Sequence, residues 1–424
     1  MPAPQLTSFS RQAITSIYIG IDFGTSYTKV SYSYAPSHTP QIQTIKWNNE
    51  KDSFFKQTIL YIQNGRLYFD KPVGDSKEVK YFKYSIIETK LKNNSVQTKN
   101  NFEKMCCVYF LAQMIKRSIA IIQEKLHIAN MDDIKTFVNM GVPLENFYEE
   151  KNKNNMGLYQ EILEDAVLLA GGCKIKAVLP KNQVLISNLD SVFSEIEIKR
   201  AIPNWGLNVY PELAAELLLY HQSKFIGEGI YAIIDIGGGT VDMALFHKKI
   251  EKSSADMFCL AQKVLPYGIE ILCKEPDSVS ADQFTNEFSS MLMNARNYAD
   301  VHYERYNKID VFFLGGGASN DWYLNNIKRT NERFKGTCVP PLSFSHSIED
   351  FINSEEMILQ KNQRLIISQM LARHKDDITS VKGFPDWYEA QEKDLINSNN
   401  QTKQDLEKKN AERAKNTGLD DNEH

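Results

Sequence analysis

Two aspartates occupy matching places in two short glycine-containing stretches, and both residue types suit phosphate or metal chemistry. Asp235 closes the apolar run YAIID. After one isoleucine come the glycines Gly237, Gly238 and Gly239, and then Thr240. Adjacent residues without a Cβ permit positive φ and let another group approach the main chain. Backbone N–H groups in such a turn bind anionic oxygens, and a nearby carboxylate suits hydrated Mg²⁺. The stretch predicts a phosphate-binding hairpin, with a plain glycine-rich β-turn as the alternative.

The stretch IYIGIDFGTSYTKVSYSY, near the N-terminus, has the same layout. An apolar run ends at Asp22, Gly24 follows with the hydroxyls of Thr25 and Ser26, and an alternating strand then contains Lys29. Two strand–Asp–Gly–Thr–strand units in one chain are less easily coincidental than one. The pattern therefore predicts a weak internal repeat built on two hairpins.

A third glycine turn lies in KIDVFFLGGGASNDWYLNNIKRTNERF, Lys308 to Phe334. A buried strand is predicted, followed by a helix that Asn320 or Asp321 can cap. A glycine turn at a helix start can place backbone against a flat or phosphorylated ligand. A tight strand-to-helix connection is the alternative. The turn consists of Gly315, Gly316, Gly317 and Ala318.

Composition limits the possible partners and cofactors. At 424 residues the chain has room for about two to four domains. A net charge of −4 gives no electrostatic case for nucleic acid, and the pair Lys248-Lys249 is expected at the solvated surface. Six cysteines without a C-x-x-C spacing argue against zinc. No signal peptide or membrane span is expected, so a cytoplasmic protein is predicted.

Periodicity places further elements between the glycine motifs. Asn64-Gly65 predicts a hairpin turn, and apolar residues at helical spacing predict a helix of ~25 residues from Phe102. Other predicted elements are a strand from Lys135 to Gly141 and helices over 158–170, 208–222 and 354–374. The residues after 374 are polar and charged, which predicts a tail rather than a domain.

The three motifs, in this order, resemble the phosphate-1, phosphate-2 and adenosine motifs of the actin-like ATPase superfamily. The nearest branch is the heat shock protein 70 family of chaperones, and the resemblance covers about Ile17 to His374. It implies an α/β, two-lobed actin-like ATPase fold of the ribonuclease H-like kind. Each lobe would be a mixed β-sheet flanked by helices, with ATP and Mg²⁺ in the cleft between the lobes.

The resemblance also implies roles for individual residues. Asp22 and Asp235 would hold Mg²⁺ through waters, and either could orient the attacking water. The nucleotide would be bound by Lys29 and by the three glycine turns, which are Gly24 to Ser26, Gly237 to Thr240 and Gly315 to Ala318. Glu212 lies where the chaperones keep a glutamate that positions the metal shell and water, although here Pro211 precedes it. It could instead be a favourable acidic residue at a helix N-terminus. Lys83 is the expected partner of the γ-phosphate, with a solvated surface lysine as the alternative.

The predicted organisation is a leader over 1–16, lobe I over 17–207, lobe II over 208–374 and a tail over 375–424. No peptide-binding domain fits in that tail, and 174–205 is extra sequence relative to the chaperones. The resulting expectation is a slow ATPase that works as a nucleotide-dependent switch, with a protein partner or self-assembly and without nucleic acid or membrane. The alternatives are a ParM-like filament, a nucleotide-binding pseudoenzyme and, last, a small-molecule kinase.

Overall fold

A computed structural model provides the fold. It describes residues 14–34, 41–48, 53–86, 101–143, 153–171, 183–185, 205–223, 226–251, 254–299, 306–337, 339–344, 363–378, 381–382 and 408. Across these residues the chain is a mixed α/β protein. Residues 354–362 of the last predicted helix, nearly all of the predicted leader, and most of the 174–205 segment and of the tail lie outside the described residues.

The strands of the first half of the chain form one large and one small sheet. In chain order they are β1 Ser16–Phe23, β2 Tyr27–Tyr34, β3 Gln41–Thr44, β4 Lys56–Gln57, β5 Leu60–Gln63, β6 Arg66–Tyr68, β7 Lys77–Val79, β8 Lys135–Val142, β9 Gln183–Leu185 and β10 Trp205–Pro211. The large sheet has the order β10-β8-β1-β2-β3, with β4 also paired to β2, and the small sheet has the order β7-β5-β6-β9.

The remaining strands form a second large sheet. They are β11 Gly229–Ile236, β12 Val241–Glu251, β13 Ser254–Leu265, β14 Ile309–Leu314, β15 Leu342–Ser343 and β16 Val381–Lys382. Their order is β15-β14-β11-β12-β13-β16. In both large sheets the central strand, β1 or β11, pairs antiparallel with its own hairpin partner and parallel with a later strand. The two predicted hairpins are therefore confirmed, and the strand order around each is the same.

Helices pack against these sheets and bury their apolar sides. They are α1 Asn101–Leu126, α2 Lys153–Ala170, α3 Glu212–Gln222, α4 Ile269–Lys274, α5 Ala281–Ala299, α6 Asp321–Arg333, α7 Ile366–Leu371 and α8 Lys375–Ile378. Residues 82–86 are also helical. One hydrophobic cluster joins α1 and α2 to the first sheet, and another joins α5 and α6 to the second. The 26-residue α1 confirms the long predicted helix.

The structure confirms a predicted turn and a predicted helix cap, and it moves the start of one predicted helix. Asn64 and Gly65 have φ values of 51° and 68°, as a tight hairpin turn between β5 and β6 requires. Asn320 caps α6, since its side chain accepts a hydrogen bond from the backbone N–H of Trp322 at 2.9 Å. The predicted helix over 208–222 begins late, because residues 208–211 continue the parallel pairing of β10 with β8. Residue 208, the predicted start of this helix and of lobe II, lies inside strand β10.

Lys248 is not at the solvated surface, so that prediction was wrong. Its side chain is buried and donates to the carbonyl oxygens of Tyr220 and Ser223, at 3.0 and 2.7 Å. These carbonyls lie at the C-terminal end of α3, where a cation is favourable. Burial lowers the pKa of Lys248 to about 8. A buried lysine can thus replace water as the hydrogen-bond donor to the last carbonyl groups of a helix.

The segment from Gln363 to Arg373 links the first sheet to the second. Ser31 and Ser368 share a hydrogen bond of 2.9 Å, and Asn139 donates to the carbonyl oxygen of Leu371 at 2.7 Å. The helix lies so close to β1 that a Cβ at Gly20 would collide with its backbone. The apolar side chains of α7 join a cluster that includes α3 and residues of the second sheet.

One helix among the described residues, Phe102–Leu126, is long and apolar enough to cross a membrane by length and composition alone. In the most apolar 18-residue stretch of this helix, 67% of the residues are buried. The side chains of the helix belong to the core of the first sheet. The core helix of a soluble protein has the same properties, so this helix is weak evidence for a membrane span.

Candidate functional site

The first hairpin turn, Gly24 to Ser26, is held by Thr58. The Thr58 hydroxyl donates to the Gly24 carbonyl oxygen at 2.8 Å, and the Thr58 backbone N–H donates to the Ser26 carbonyl oxygen at 2.8 Å. Asp22 lies directly before this turn and is 2% exposed. Its carboxylate accepts a hydrogen bond from Lys29 Nζ at 2.6 Å, because the two residues are opposite each other in the β1–β2 register. The predicted nucleotide contact Lys29 is thus paired with the predicted metal ligand.

The second hairpin turn is closed by Gly237, whose N–H donates to the Thr240 carbonyl oxygen at 2.9 Å. The Thr240 hydroxyl donates to Asp242 Oδ2 at 3.1 Å, and Asp242 lies opposite Asp235 in the β11–β12 register. The start of α4 lies against this turn: the N–H groups of Ile269 and Glu270 donate to its carbonyls, both at 2.9 Å. The turn is therefore fixed from both sides.

The third glycine turn packs on the end of β11. Gly317 N–H donates to the Ile236 carbonyl oxygen at 3.0 Å. Gly315 has a φ of 79°, and a Cβ there would collide with Asp235 Oδ1 and the Ile236 carbonyl. A side chain at residue 315 would thus meet both backbone strain and a clash, so glycine is required at this place.

The turns of the two hairpins face each other closely. A Cβ at Gly238 would collide with Ser26 Oγ. A Cβ at Gly239 would lie 3.1 Å from side-chain carbon atoms of Thr25 and Tyr84. The absence of side chains in the second turn is what allows the first turn to approach, as the run of glycines predicted.

A cavity of about 230 Å³ lies between these turns. Thirteen of the sixteen predicted site residues line it: Asp22, Gly24, Thr25, Ser26, Lys29, Lys83, Glu212, Asp235, Gly237, Gly238, Thr240, Gly315 and Gly316. The other three do not. Gly239 faces Thr25, Gly317 packs on Ile236, and Ala318 N–H donates to the Gly315 carbonyl at 3.5 Å. The structure thus brings residues from positions 22 to 316 to one cavity.

Lys83 and Glu212 meet at this cavity as a buried ion pair. Lys83 is 2% exposed, its Nζ lies 3.0 Å from Glu212 Oε1, and it also donates to the Phe23 carbonyl oxygen. Glu212 is the first residue of α3 and is 8% exposed. The solvated-lysine alternative is therefore wrong, and Glu212 is more than an acidic residue at a helix N-terminus. Burial raises the pKa of Glu212, and the nearby Lys83 charge opposes that rise.

The cavity holds more buried carboxyl groups than basic side chains. Five carboxyl groups line it and are at most 8% exposed, namely Asp22, Glu212, Glu216, Asp235 and Asp242, while the basic residues that line it are Lys29, Lys83 and Arg364. Burial raises the pKa of Asp235 and raises those of Glu216 and Asp242 strongly. The negative charge of Asp235 raises the pKa of Glu216 further. Such a cluster is stabilised by bound protons or by a cation.

Three buried oxygens at the cavity have no hydrogen-bond donor among the described residues, namely Ser26 Oγ, Asp235 Oδ1 and Glu216 Oε2. The Asp235 and Glu216 carboxyl groups can hydrogen-bond to each other when one of them holds a proton, and this contact lowers the pKa of Asp235 and raises that of Glu216. Ser26 Oγ is left to a water or a ligand, since buried polar atoms are normally hydrogen-bonded. No group of three or more His, Cys, Asp or Glu in the described ranges is arranged to hold a metal ion directly. The buried carboxylates of the cavity suit a cation bound through waters, as Mg²⁺ commonly is.

Some lining residues had weak or absent signals in the sequence. Glu216, one helical turn after Glu212, is a lesser candidate from the sequence, and it lines the cavity. Asp242, which the sequence suggests as a structural residue on the opposite strand face from Val241, also lines the cavity. Arg364 had no such signal. It reaches the cavity from the segment before α7, with its guanidinium centre 4.1 Å from the ring centroid of Phe55. Tyr27, Glu270, Ile366 and Ile367 also line the cavity.

No protein-family model matches this chain, and a comparison with curated proteins finds no similar sequence.

Proposed function

We propose that this protein is a Mg²⁺-dependent ATPase with a two-lobed actin-like fold that acts as a nucleotide-dependent conformational switch. The observation that carries the proposal is that Asp22 and Asp235, from two separate hairpins, line one cavity with Lys83 and Glu212. The shared strand order of the two large sheets supports the two-lobed arrangement. Each large sheet would then form the centre of one lobe.

The site residues fit the electrostatic needs of phosphoryl transfer. Bound Mg²⁺ would neutralise charge on the transferring phosphoryl group. Asp22 and Asp235 would hold its water shell. The surplus of buried carboxylates at the cavity fits that role. Thr25 and Ser26 would offer hydroxyl donors to phosphate oxygens, and Thr240, whose hydroxyl donates to Asp242, would offer its backbone N–H.

Lys83 and Glu212 divide two tasks in this proposal. Lys83 is held near the first turn by the Phe23 carbonyl and by Glu212, so its charge is fixed at the cavity. Glu212 has a raised pKa caused by burial, which brings it closer to the range of a general base at neutral pH. It would orient the attacking water and accept its proton.

The size of the cavity bears on how a nucleotide enters. A volume of about 230 Å³ is below the ~300–1,000 Å³ typical of small-molecule sites. The cavity suits the phosphate end of a nucleotide, while the adenosine end would lie towards Gly315 and Gly316. Separation of the turns as the whole molecule enters would be the natural output of a switch.

A ParM-like filament is the second candidate, favoured by the short stretch between β13 and β14. In its described part this stretch holds only α4, a short 3₁₀ turn and α5, which leaves no outer subdomain like that of the chaperones. A switch and a filament would share the same chemistry. They differ in whether the ATP-bound form assembles.

The test combines hydrolysis with sedimentation. Purified protein is incubated with ATP and Mg²⁺, phosphate release is measured, and the mixture is centrifuged with and without ATP. We expect Mg²⁺-dependent phosphate release that Asp22→Asn abolishes. Protein in the supernatant under both conditions would remove the filament, and ATP-dependent pelleting would remove the simple switch. Nucleotide binding without phosphate release would indicate a pseudoenzyme, and absence of binding would contradict the whole proposal.

A further inference from the structure

A hydrogen bond joins the two sides of the cavity at its rim. The Tyr81 hydroxyl donates to Glu270 Oε2 at 2.6 Å, across a separation of 189 residues in the chain. Tyr81 directly precedes the helical residues 82–86, which contain Lys83, and Glu270 lies in α4. The two partners therefore belong to different elements that both bear on the site.

Each partner is tied to a residue of the site by its own backbone. On one side, Ser85 N–H donates to the Tyr81 carbonyl oxygen at 2.8 Å, which fixes Tyr81 to the helix of Lys83. On the other side, Glu270 N–H donates to the Gly238 carbonyl oxygen at 2.9 Å. The Tyr81–Glu270 bond thus connects the lysine-bearing helix to the glycine turn of the second hairpin.

Two features mark this bond as a contact that can open. Glu270 is 32% exposed at its side chain, so water can replace Tyr81 as its partner. Tyr81 has a φ of 60°, a left-handed conformation that is uncommon for a non-glycine residue and is often found at functional sites. Lys274 completes the contact, with Nζ 4.1 Å from the Tyr81 ring centroid and 3.7 Å from Glu270 Oε2.

We propose that the Tyr81–Glu270 hydrogen bond closes the phosphate end of the site and must break before product leaves. The inference rests on the proposed nucleotide function and adds a positioning pair to it. Closing the bond holds Lys83 and Gly238 at a fixed separation across the cavity. Opening it lets the helix of Lys83 move away from the second turn and widens the path of exit. A charge-assisted bond of this kind is strong enough to slow release about tenfold.

The experiment measures release of a fluorescent ADP analogue from the full-length protein in Mg²⁺ by stopped flow. The variants are Tyr81→Phe, Glu270→Met and the double variant. Phenylalanine keeps the ring against Lys274 and removes only the hydroxyl, and methionine keeps the length of the glutamate side chain and removes the acceptor oxygens. Tyr68→Phe and Glu78→Met, whose side chains do not line the cavity, are the matched controls.

We expect each single variant to raise the release rate about tenfold, and the double variant to raise it no further, because both changes remove the same bond. The control variants should release the analogue at the wild-type rate. Hydrogen exchange in the absence of nucleotide should rise at residues 82–86 and 269–274 in Tyr81→Phe.

The outcomes separate this inference from the proposed function. Tight binding by the wild type with unchanged release in Tyr81→Phe would overturn the closing role of the bond alone. Additive effects in the double variant would also overturn it, since the two residues would then act independently. If the wild type binds no ADP analogue, the proposed function and this inference both fail.

Discussion

Lys83 Nζ lies 3.0 Å from Glu212 Oε1, and the two side chains are only 2% and 10% exposed. The residues are 129 positions apart, Lys83 in the helical residues 82–86 and Glu212 at the start of α3. A buried pair of this kind adds little net stability, but the loss of one partner leaves an unpaired buried charge. The pair therefore couples the fold to the site chemistry.

Replacement of Lys83 by methionine should destabilise the protein by about 3–5 kcal/mol, because the Glu212 carboxylate would stay buried without its partner. The double variant Lys83→Met, Glu212→Gln should recover much of that loss, since no buried charge is then unpaired. Urea unfolding of the wild type, both single variants and the double variant measures the coupling. Additive losses would contradict the pair as described.

Replacement of Asp235 by asparagine should abolish Mg²⁺-dependent turnover, by roughly 100-fold or more, while the protein stays folded. The substitution keeps the shape of the side chain and removes a buried charge next to Glu216. We therefore expect the melting temperature to stay level or rise. Asp282→Asn is the control, because that carboxylate is 81% exposed. Wild-type hydrolysis in Asp235→Asn would remove Asp235 from the site.

Gly315→Ala should destabilise the protein more than Gly336→Ala. Both glycines have a φ of 79°, but a Cβ at Gly336 meets open space, whereas one at Gly315 collides with Asp235. The change at Gly336 should cost about 1–2 kcal/mol of unfolding free energy from backbone strain alone. Chemical denaturation gives the difference between the two variants. Equal losses would mean that the contact between Gly315 and Asp235 is unimportant.

His247 should make the protein sensitive to acid. Burial lowers the pKa of His247 to about 4 from its usual 6.5, and the side chain is 3% exposed. The unfolded chain therefore binds a proton first as the pH falls. The stability that neutral His247 contributes is complete above pH 6.5 and is lost progressively towards pH 4. At 1.36 kcal/mol per pH unit, the total is about 3 kcal/mol.

The measurement is urea unfolding of the wild type and of His247→Gln between pH 7 and pH 4.5. Glutamine can still bond to Tyr306, whose hydroxyl lies 2.9 Å from His247 Nε2, but it does not titrate. We expect the variant to lose less stability on acidification than the wild type. His127→Gln, at an exposed residue, should follow the wild type. Parallel pH profiles for all three proteins would exclude His247 as the acid-sensitive group.

Several elements could be read from the sequence because their signals are local. Apolar runs on either side of a glycine turn predicted β1 and β2, Asn64-Gly65 specified a tight turn, and apolar spacing specified α1. Helical periodicity predicted a helix that includes residues 208–211. These residues instead pair in parallel with β8 and belong to a strand. Strand pairing depends on a partner about seventy residues away, which a local pattern does not encode.

The sequence by itself determined the two Asp–Gly–Thr hairpins and the third glycine turn, and hence many of the residues that line the cavity, because each motif is contiguous and its backbone needs are local. Only the tertiary structure decided that Lys83 is buried against Glu212, that Lys248 caps α3, and that Tyr81 meets Glu270. These contacts join residues far apart in the chain. Whether a charged side chain is solvated or buried depends on what packs against it, and that is set by the assembled sheets and helices.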